Sequence, residues 1–284
     1  MIDLAQLRKD PNFFRMAWLD RGLSIDVEGL LALDAAVREL KTQSEQVKAE
    51  LNAASKAIAQ AARTGQDIDA AKERARKLGD QAKAIDESRV AREGALQDEL
   101  MVLPNPCQAS VPVGRDSSEN KVAAQWGAKP SFAFAPKAHW DLGPALDIID
   151  FERGSKLSGS GFVVLKGAGA RLSRALVSFF LDVHTLEHGY TELAVPFLVS
   201  PQAMQGTGQL PKFADQLYAC RDDALLLIPT AEVPVTNLHT GEIFDADMLP
   251  RRYTAHTPCF RREAGAAGKD TRGIFRVHQF DKVE

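Results

Sequence analysis

Between Glu28 and Pro104 the apolar positions step along the chain by alternating fours and threes. Positions 33, 37, 40, 44, 47, 51, 54 and 58 hold Leu, Val, Leu, Ser, Val, Leu, Ala and Ile, a heptad seam sustained over several helical turns. The string RTGQD, Arg63 to Asp67, interrupts it with a glycine, and the seam resumes as Ile68, Ala71, Ala75, Leu78, Ala82 and Ile85. Two helices of similar length around one short turn predict an antiparallel helical hairpin. A helix from Glu28 to Ala62 reaches about 50 Å, longer than a compact domain needs. The small residues of the second seam allow close approach but bury little area, so the hairpin is a slender arm. An intermolecular coiled coil shares this periodicity, but the short turn makes self-pairing the cheaper closure.

Beyond the arm the pattern changes twice. Residues 104 to 145 carry Pro104, Pro106, Pro112, Pro130, Pro136 and Pro144 among polar stretches, the composition of a connector. From residue 146 shorter periods take over. FVVLKG (Phe162 to Gly167) reads as a strand, ARLSRALVSFFLDVHTLEH as an amphipathic helix closed by Gly189, and YTELAVPFLV as a strand containing Pro196. ALLLIPTAEVPVT reads as an apolar strand that turns polar at its end. The last stretch, Thr257 to Glu284, alternates on both sides of a loop rich in Gly, Ala and charge, which predicts an antiparallel hairpin with a long tip. Arg261 and Glu263 then share one face, as do Arg276, His278, Phe280, Lys282 and Glu284 on the return strand. Such a face is costly to bury without a partner and suits an anionic, aromatic ligand. The fold class is α+β, with domains at 1–104 and 146–284 joined by a 105–145 connector.

Composition narrows the field. The 284 residues are 45% hydrophobic and 26% charged, and no segment approaches the roughly 20 apolar residues of a membrane span. The N-terminus lacks the basic-then-apolar pattern of a secretory signal. Three widely spaced cysteines, Cys107, Cys220 and Cys259, favour reduced thiols in a cytoplasm. With a net charge of −3, a nucleic-acid partner needs a local basic surface.

Three strings imitate other sites. GAGARL (Gly167 to Leu172) has Leu172 where a dinucleotide fingerprint needs its third glycine. AGKDT fails as a phosphate loop at both the earlier glycine, Glu263, and the Ser/Thr position, Asp270. HTLEH, His184 to His188, fits an inverted zinc-peptidase pattern, but Gly189 ends the helix at once and no third ligand is apparent. Histidines placed favourably at a helix C-terminus account for it better.

Four segments together resemble the bacterial-type seryl-tRNA synthetases, a class II aminoacyl-tRNA synthetase family: GTGQLPKF (Gly206 to Phe213), IPTAEVPVTN (Ile228 to Asn237), PCFRREAG (Pro258 to Gly265) and DTRGIFRVHQFDKVE (Asp270 to Glu284). Residues 167 to 196 resemble motif 1, the dimer-forming helix and strand, and the terminal hairpin resembles motif 2. The helical hairpin resembles the family's tRNA-binding arm. The likeness implies a class II antiparallel sheet with flanking helices, incomplete at the C-terminus, because the arginine-bearing motif 3 that completes the ATP site has no counterpart before Glu284.

The resemblance implies activation of L-serine by ATP to seryl-adenylate, then transfer to tRNA(Ser), by a cytoplasmic homodimer. Arg261 would bridge the α-phosphate and the serine carboxylate, which would make it the catalytic residue. Arg262, Glu263, Arg276, the Val277 backbone and Phe280 would complete the ATP contacts, and Mg2+ would accompany the phosphates. Thr230, Ala231 and Glu232, with Arg261, would hold serine, and Glu284 would accept its hydroxyl. Arg63, Lys72, Arg74, Arg76 and Lys77 are the arm cations available to tRNA phosphates. Two rivals remain open: a non-catalytic tRNA-binding paralogue, and a structural coiled-coil protein with a degenerate globular end.

Overall fold

In the computed structural model, which describes residues 2–64, 67–265 and 272–284, the chain divides into two compact units, Met1–Trp126 and Gly127–Glu284. The division falls within the proline-rich stretch read as a connector. Gly65 and Gln66, within the RTGQD string read as a turn, and residues 266–271, which include the AGKDT string, lie outside the described residues.

The first unit contains α1 (Leu4–Lys9), α2 (Pro11–Leu19), α3 (Val27–Arg63) and α4 (Asp69–Val102). The Asp26 carboxylate accepts from the Gly29 N–H at 2.9 Å and so starts α3 as an N-cap. The two long helices pair along the seam read from the sequence. Leu33, Val37, Leu40, Ser44, Val47, Leu51, Ala54 and Ile58 are all buried or half-buried, as are Ala71, Ala75, Leu78, Ala82 and Ile85. At the arm's base α1 and α2 close a core made of Leu7, Phe14, Trp18, Val27, Leu30, Leu96 and Leu100. The Trp18 indole N–H donates to the Pro104 carbonyl at 2.8 Å, giving the buried ring its polar partner.

Halfway along, the seam is polar. The Ser44 hydroxyl donates to Asp86 across the helix pair at 2.8 Å, and the Lys48 ammonium meets the same carboxylate at 2.6 Å. Hydrogen bonds from Lys48 and then Ser44 lower the Asp86 carboxyl from 3.8 to about 2. A depressed folded-state pKa contributes stability that is present above the unfolded value and lost as the folded group protonates. Acid titration of this chain is therefore expected to loosen the arm between pH 3.8 and about 2, read as falling helical circular dichroism. Asp86→Asn should flatten that acid transition, whereas an unchanged acid limb would rule out this carboxylate as its source.

The second unit contains α5 (His139–Ala145), β1 (Ile149–Asp150), α6 (Phe151–Ser158), β2 (Val164–Leu165), α7 (Gly167–Asp182), β3 (Thr191–Glu192), β4 (Leu198–Val199), α8 (Pro201–Gly206), β5 (Leu226–Leu227), α9 (Glu232–Asn237), β6 (Tyr253–Thr254), β7 (His256–Phe260) and β8 (Gln279–Val283). Its strand pairs are antiparallel except β3 with β6. Hydrogen bonds from Ile228 N to Phe197 O and from Phe260 N to Ile228 O, both 2.9 Å, tie the β4–β5 segment to β7 and β8. Val199, Met204, Leu217, Ile228 and Val233 form the core beneath that join.

Several boundaries differ from the sequence pattern. The expected strand Phe162–Gly167 is reduced to β2, and YTELAVPFLV is broken into β3 and β4 around Pro196. The larger correction concerns ALLLIPTAEVPVT. Only Leu226–Leu227 is strand, and Glu232 opens α9. The apolar face read for α7 is largely uncovered among the described residues, with only Gly169, Ser173, Val177 and Leu181 half-buried. No residue of α7 is buried, and Leu172, Leu176, Phe179 and Phe180 are 58%, 45%, 60% and 45% exposed.

Candidate functional site

The site rests on the register of β7 and β8. Cys259 faces Phe280 and Thr257 faces Lys282, while Ala255 and Glu284 exchange both backbone hydrogen bonds at 3.0 and 3.1 Å. Directly opposed residues share a face, so Phe280, Lys282 and Glu284 line one surface with Cys259 and Thr257 buried between them. Arg261 continues β7 by donating its N–H to the His278 carbonyl at 2.9 Å, and its guanidinium carbon lies 5.1 Å from the centre of the Phe280 ring. Arg261 Nε also donates to the Pro229 carbonyl at 3.3 Å. The guanidinium is thus braced by a ring and a carbonyl at the border between the terminal hairpin and the segment preceding α9.

That segment brings Thr230 to Glu284. The buried Thr230 hydroxyl donates to Glu284 Oε2, and Oε2 also accepts the Glu232 N–H at 3.2 Å. Lys282 Nζ bridges the two, donating to Thr230 Oγ1 at 3.1 Å and to Glu284 Oε1 at 2.8 Å. Burial pushes the Glu284 carboxyl up; hydrogen bonds from the Lys282 ammonium and the Thr230 hydroxyl more than reverse that push, leaving it below the ordinary glutamate range. A carboxylate offers about four lone-pair positions, so after three donors Glu284 retains capacity for one more. Thr230 Oγ1, donating once and accepting once, retains a lone pair.

Thr230 and Glu232 do not lie side by side on a strand face, as the alternating pattern implied. Ala231 is in the right-handed helical region and Glu232 is the exposed first residue of α9, contributing its N–H to the cluster. The terminal hairpin also stops alternating sooner than expected. Glu263 has φ of +49°, and β8 begins only at Gln279. Glu263 nonetheless meets Arg276, whose Nη1 lies 3.2 Å from Glu263 Oε2. Val277 is buried, and Arg262 is exposed, with its N–H held by the Gln216 carbonyl at 2.9 Å. Arg261, Phe280, Thr230 and Glu284 are therefore gathered together, and Arg276 and Glu263 form a pair at the hairpin's far end. The Arg262 and Glu232 side chains are exposed, and Glu232 joins the cluster through its backbone N–H.

Sequence reasoning placed Lys282 on this face but gave it no part, although an ammonium two residues before Glu284 on one strand face is bound to reach it. It also passed over His278, whose ring stacks on Phe162 with centres 5.2 Å apart and planes at 11°. Gly161 makes that approach possible: its φ is +82°, and a Cβ there would fall 2.3 Å from the His278 ring. His184 and His188 do approach through their Nδ1 atoms at 3.1 Å, but among the described residues no three metal-ligand side chains gather anywhere.

Comparison with known proteins agrees at both ends of the chain. Residues 1–107 match the family model described as the seryl-tRNA synthetase N-terminal domain, and residues 218–284 match the class II tRNA synthetase core domain (G, H, P, S and T). The chain is 51% identical over 285 residues to a serine–tRNA ligase of Acidithiobacillus ferrooxidans, covering all of this chain and 67% of that protein. It is 49% identical to one from Oleidesulfovibrio alaskensis, covering 66% of it. A crystal structure of seryl-tRNA synthetase from Pyrococcus horikoshii complexed with ATP superposes on the whole chain with a TM-score of 0.85 at 32% identity, the chain covering 68% of it. The chain thus spans about two thirds of the length of the relatives it matches.

Proposed function

This chain belongs to the seryl-tRNA synthetase family, and we propose that it supplies the tRNA-reaching arm and the first part of the catalytic body of a cytoplasmic serine–tRNA ligase. The observation that carries the reading is the juxtaposition of a braced guanidinium, Arg261, with the Thr230–Lys282–Glu284 cluster. One end suits phosphate and carboxylate, and the other an amine and a hydroxyl.

On this reading the serine carboxylate attacks the α-phosphorus of ATP, a P–O bond forms, and pyrophosphate leaves with the electron pair of the broken bond. Arg261 bridges the two reacting anions, supplying charge already fixed in place. Phe280 stacks on the adenine and the Val277 backbone meets its edge, while Glu263 lies beside the base and Arg276 near the phosphates. Thr230 and Glu232 hold the serine ammonium. The remaining lone pair of Glu284 accepts the serine hydroxyl, and alanine would leave that half-buried carboxylate without this partner. The carboxylates of Glu263 and Glu284 are engaged by Arg276 and Lys282, and Mg2+ would be held by the ATP phosphates, supplying charge neutralisation there. Along the arm, Arg63, Lys72, Arg74, Arg76 and Lys77 are exposed, with Arg76 and Lys77 sharing Glu73. They would meet tRNA(Ser) phosphates and read shape more than sequence. The uncovered apolar face of α7 supports a homodimer through residues 167–196.

The test joins this chain to the C-terminal third carried by its relatives and measures serine-dependent pyrophosphate exchange, with sedimentation of the same sample returning a dimer. Glu284→Ala should lower kcat/KM for serine on the order of 10²-fold or more. Exchange that is undetectable in the wild-type protein, or that ignores serine, would overturn the ligase reading in favour of a tRNA-binding paralogue. A monomer at micromolar concentration would overturn the dimer.

A further inference from the structure

The segment Gln216–Leu217–Tyr218 grips the terminal hairpin where β7 gives way to its tip. Leu217 is buried in the core beneath the serine cluster, and its two neighbours face the hairpin. The Gln216 carbonyl accepts the Arg262 N–H at 2.9 Å. Its side-chain amide engages both backbone groups of Ala264, accepting the N–H at Oε1 and donating from Nε2 to the carbonyl, each at 3.0 Å. Only one orientation of an amide satisfies both Ala264 groups at once. Two residues on, the Tyr218 hydroxyl meets His278 Nδ1 at 2.9 Å, and the same nitrogen lies 3.0 Å from the Arg261 carbonyl.

Between these holds sits Glu263 at φ +49°, a left-handed conformation that a residue with a long side chain adopts only when its surroundings enforce it. The Arg262 N–H and both Ala264 groups bracket that residue, and all three are held by Gln216. In this conformation the Glu263 carboxylate meets Arg276. An ordinary extended Glu263 would continue the strand alternation instead.

We infer that Gln216 is a positioning residue for nucleotide binding: its amide holds Ala264, fixes the left-handed turn at Glu263, and thereby sets Glu263 and Arg276 for ATP. The inference deepens the ligase reading and rests on it for the identity of the nucleotide. Gln216 does not touch the reacting groups; it acts through Glu263. Glutamate at this position can accept the Ala264 N–H but cannot donate to the carbonyl, and alanine can do neither.

Two measurements test the assignment. In this chain as it stands, hydrogen exchange at the Ala264 amide should quicken about tenfold in Gln216→Ala, while exchange at Ile228 and Val233 in the core beneath stays as in wild type. In the chain joined to its relatives' C-terminal third, calorimetric titration with Mg–ATP should give a Kd raised about tenfold in Gln216→Ala and Gln216→Glu alike. In the exchange assay KM for ATP should rise with it and kcat should change less than twofold. An unchanged Ala264 exchange rate overturns the clamp, and faster exchange with unchanged ATP affinity overturns its positioning role. A wild-type protein that binds ATP without exchanging pyrophosphate refutes the ligase reading alone, since the affinity comparison still decides the part played by Gln216.

Discussion

Replacing Arg261 with alanine, in the chain completed by its relatives' C-terminal third, should reduce serine-dependent pyrophosphate exchange on the order of 10³-fold. The arm's affinity for tRNA should remain within about twofold of wild type, since the arm is a separate compact unit with its own core. The size of the loss follows from where the guanidinium is held. The Pro229 carbonyl and the Phe280 ring fix it before any ligand arrives, so its charge is available to the transition state without reorganisation. Alanine removes two anion contacts at once. The structural cost is modest, about one net hydrogen bond or roughly 1 kcal/mol, so the variant should still fold and its melting temperature provides the control. Arg261→Lys should recover little, because a point charge cannot span two anions as a planar fork does. Exchange within tenfold of wild type in a folded Arg261→Ala protein would mean that some other group bridges the anions.

What the sequence revealed about this site, and what it concealed, follows from the range of each interaction. The arm was legible because a heptad seam is a local, repeated signal, and every position assigned to it is sheltered. The shared face of Phe280, Lys282 and Glu284 was legible because strand alternation fixes it. The conformation at Thr230–Glu232 was not. The apolar run LLLIPTAEVPV looks like a strand, yet Pro234 stands third in α9, within the first turn, where a missing N–H costs nothing to the helix. Period alone could not separate those two readings; the proline spacing could have. The turn at Glu263 was also hidden, because the residue that holds it, Gln216, lies 48 positions from Ala264 in a stretch with no motif of its own. The contact of Lys282 with Glu284, two residues on, was within reach of strand alternation, but its bridge to Thr230, 52 residues away, was not.

The arm's contribution separates cleanly if it is shortened in the right place. The core at its base includes Leu30, Leu96 and Leu100 from the long helices themselves. A deletion of Glu28 to Leu100 would therefore strip partners from Leu7, Phe14 and Trp18 and unfold the base along with the arm. A deletion of Glu50 to Asp80, closed by a short glycine-containing turn, keeps that core and the Ser44–Asp86–Lys48 contacts, and removes Arg63, Lys72, Arg74, Arg76 and Lys77 together. In the chain joined to its relatives' remaining third this shortened form should retain serine-dependent pyrophosphate exchange within about threefold, since Arg261, Thr230, Lys282 and Glu284 lie wholly in the second unit. Its kcat/KM for tRNA should drop by at least about 10²-fold, and the salt dependence of tRNA binding should become shallower as phosphate contacts are lost. The two assays move independently only if activation and tRNA capture reside in different units. Charging that survived the deletion at near wild-type efficiency would place tRNA recognition in the catalytic body, whereas loss of exchange as well would make the arm a structural support for the active site.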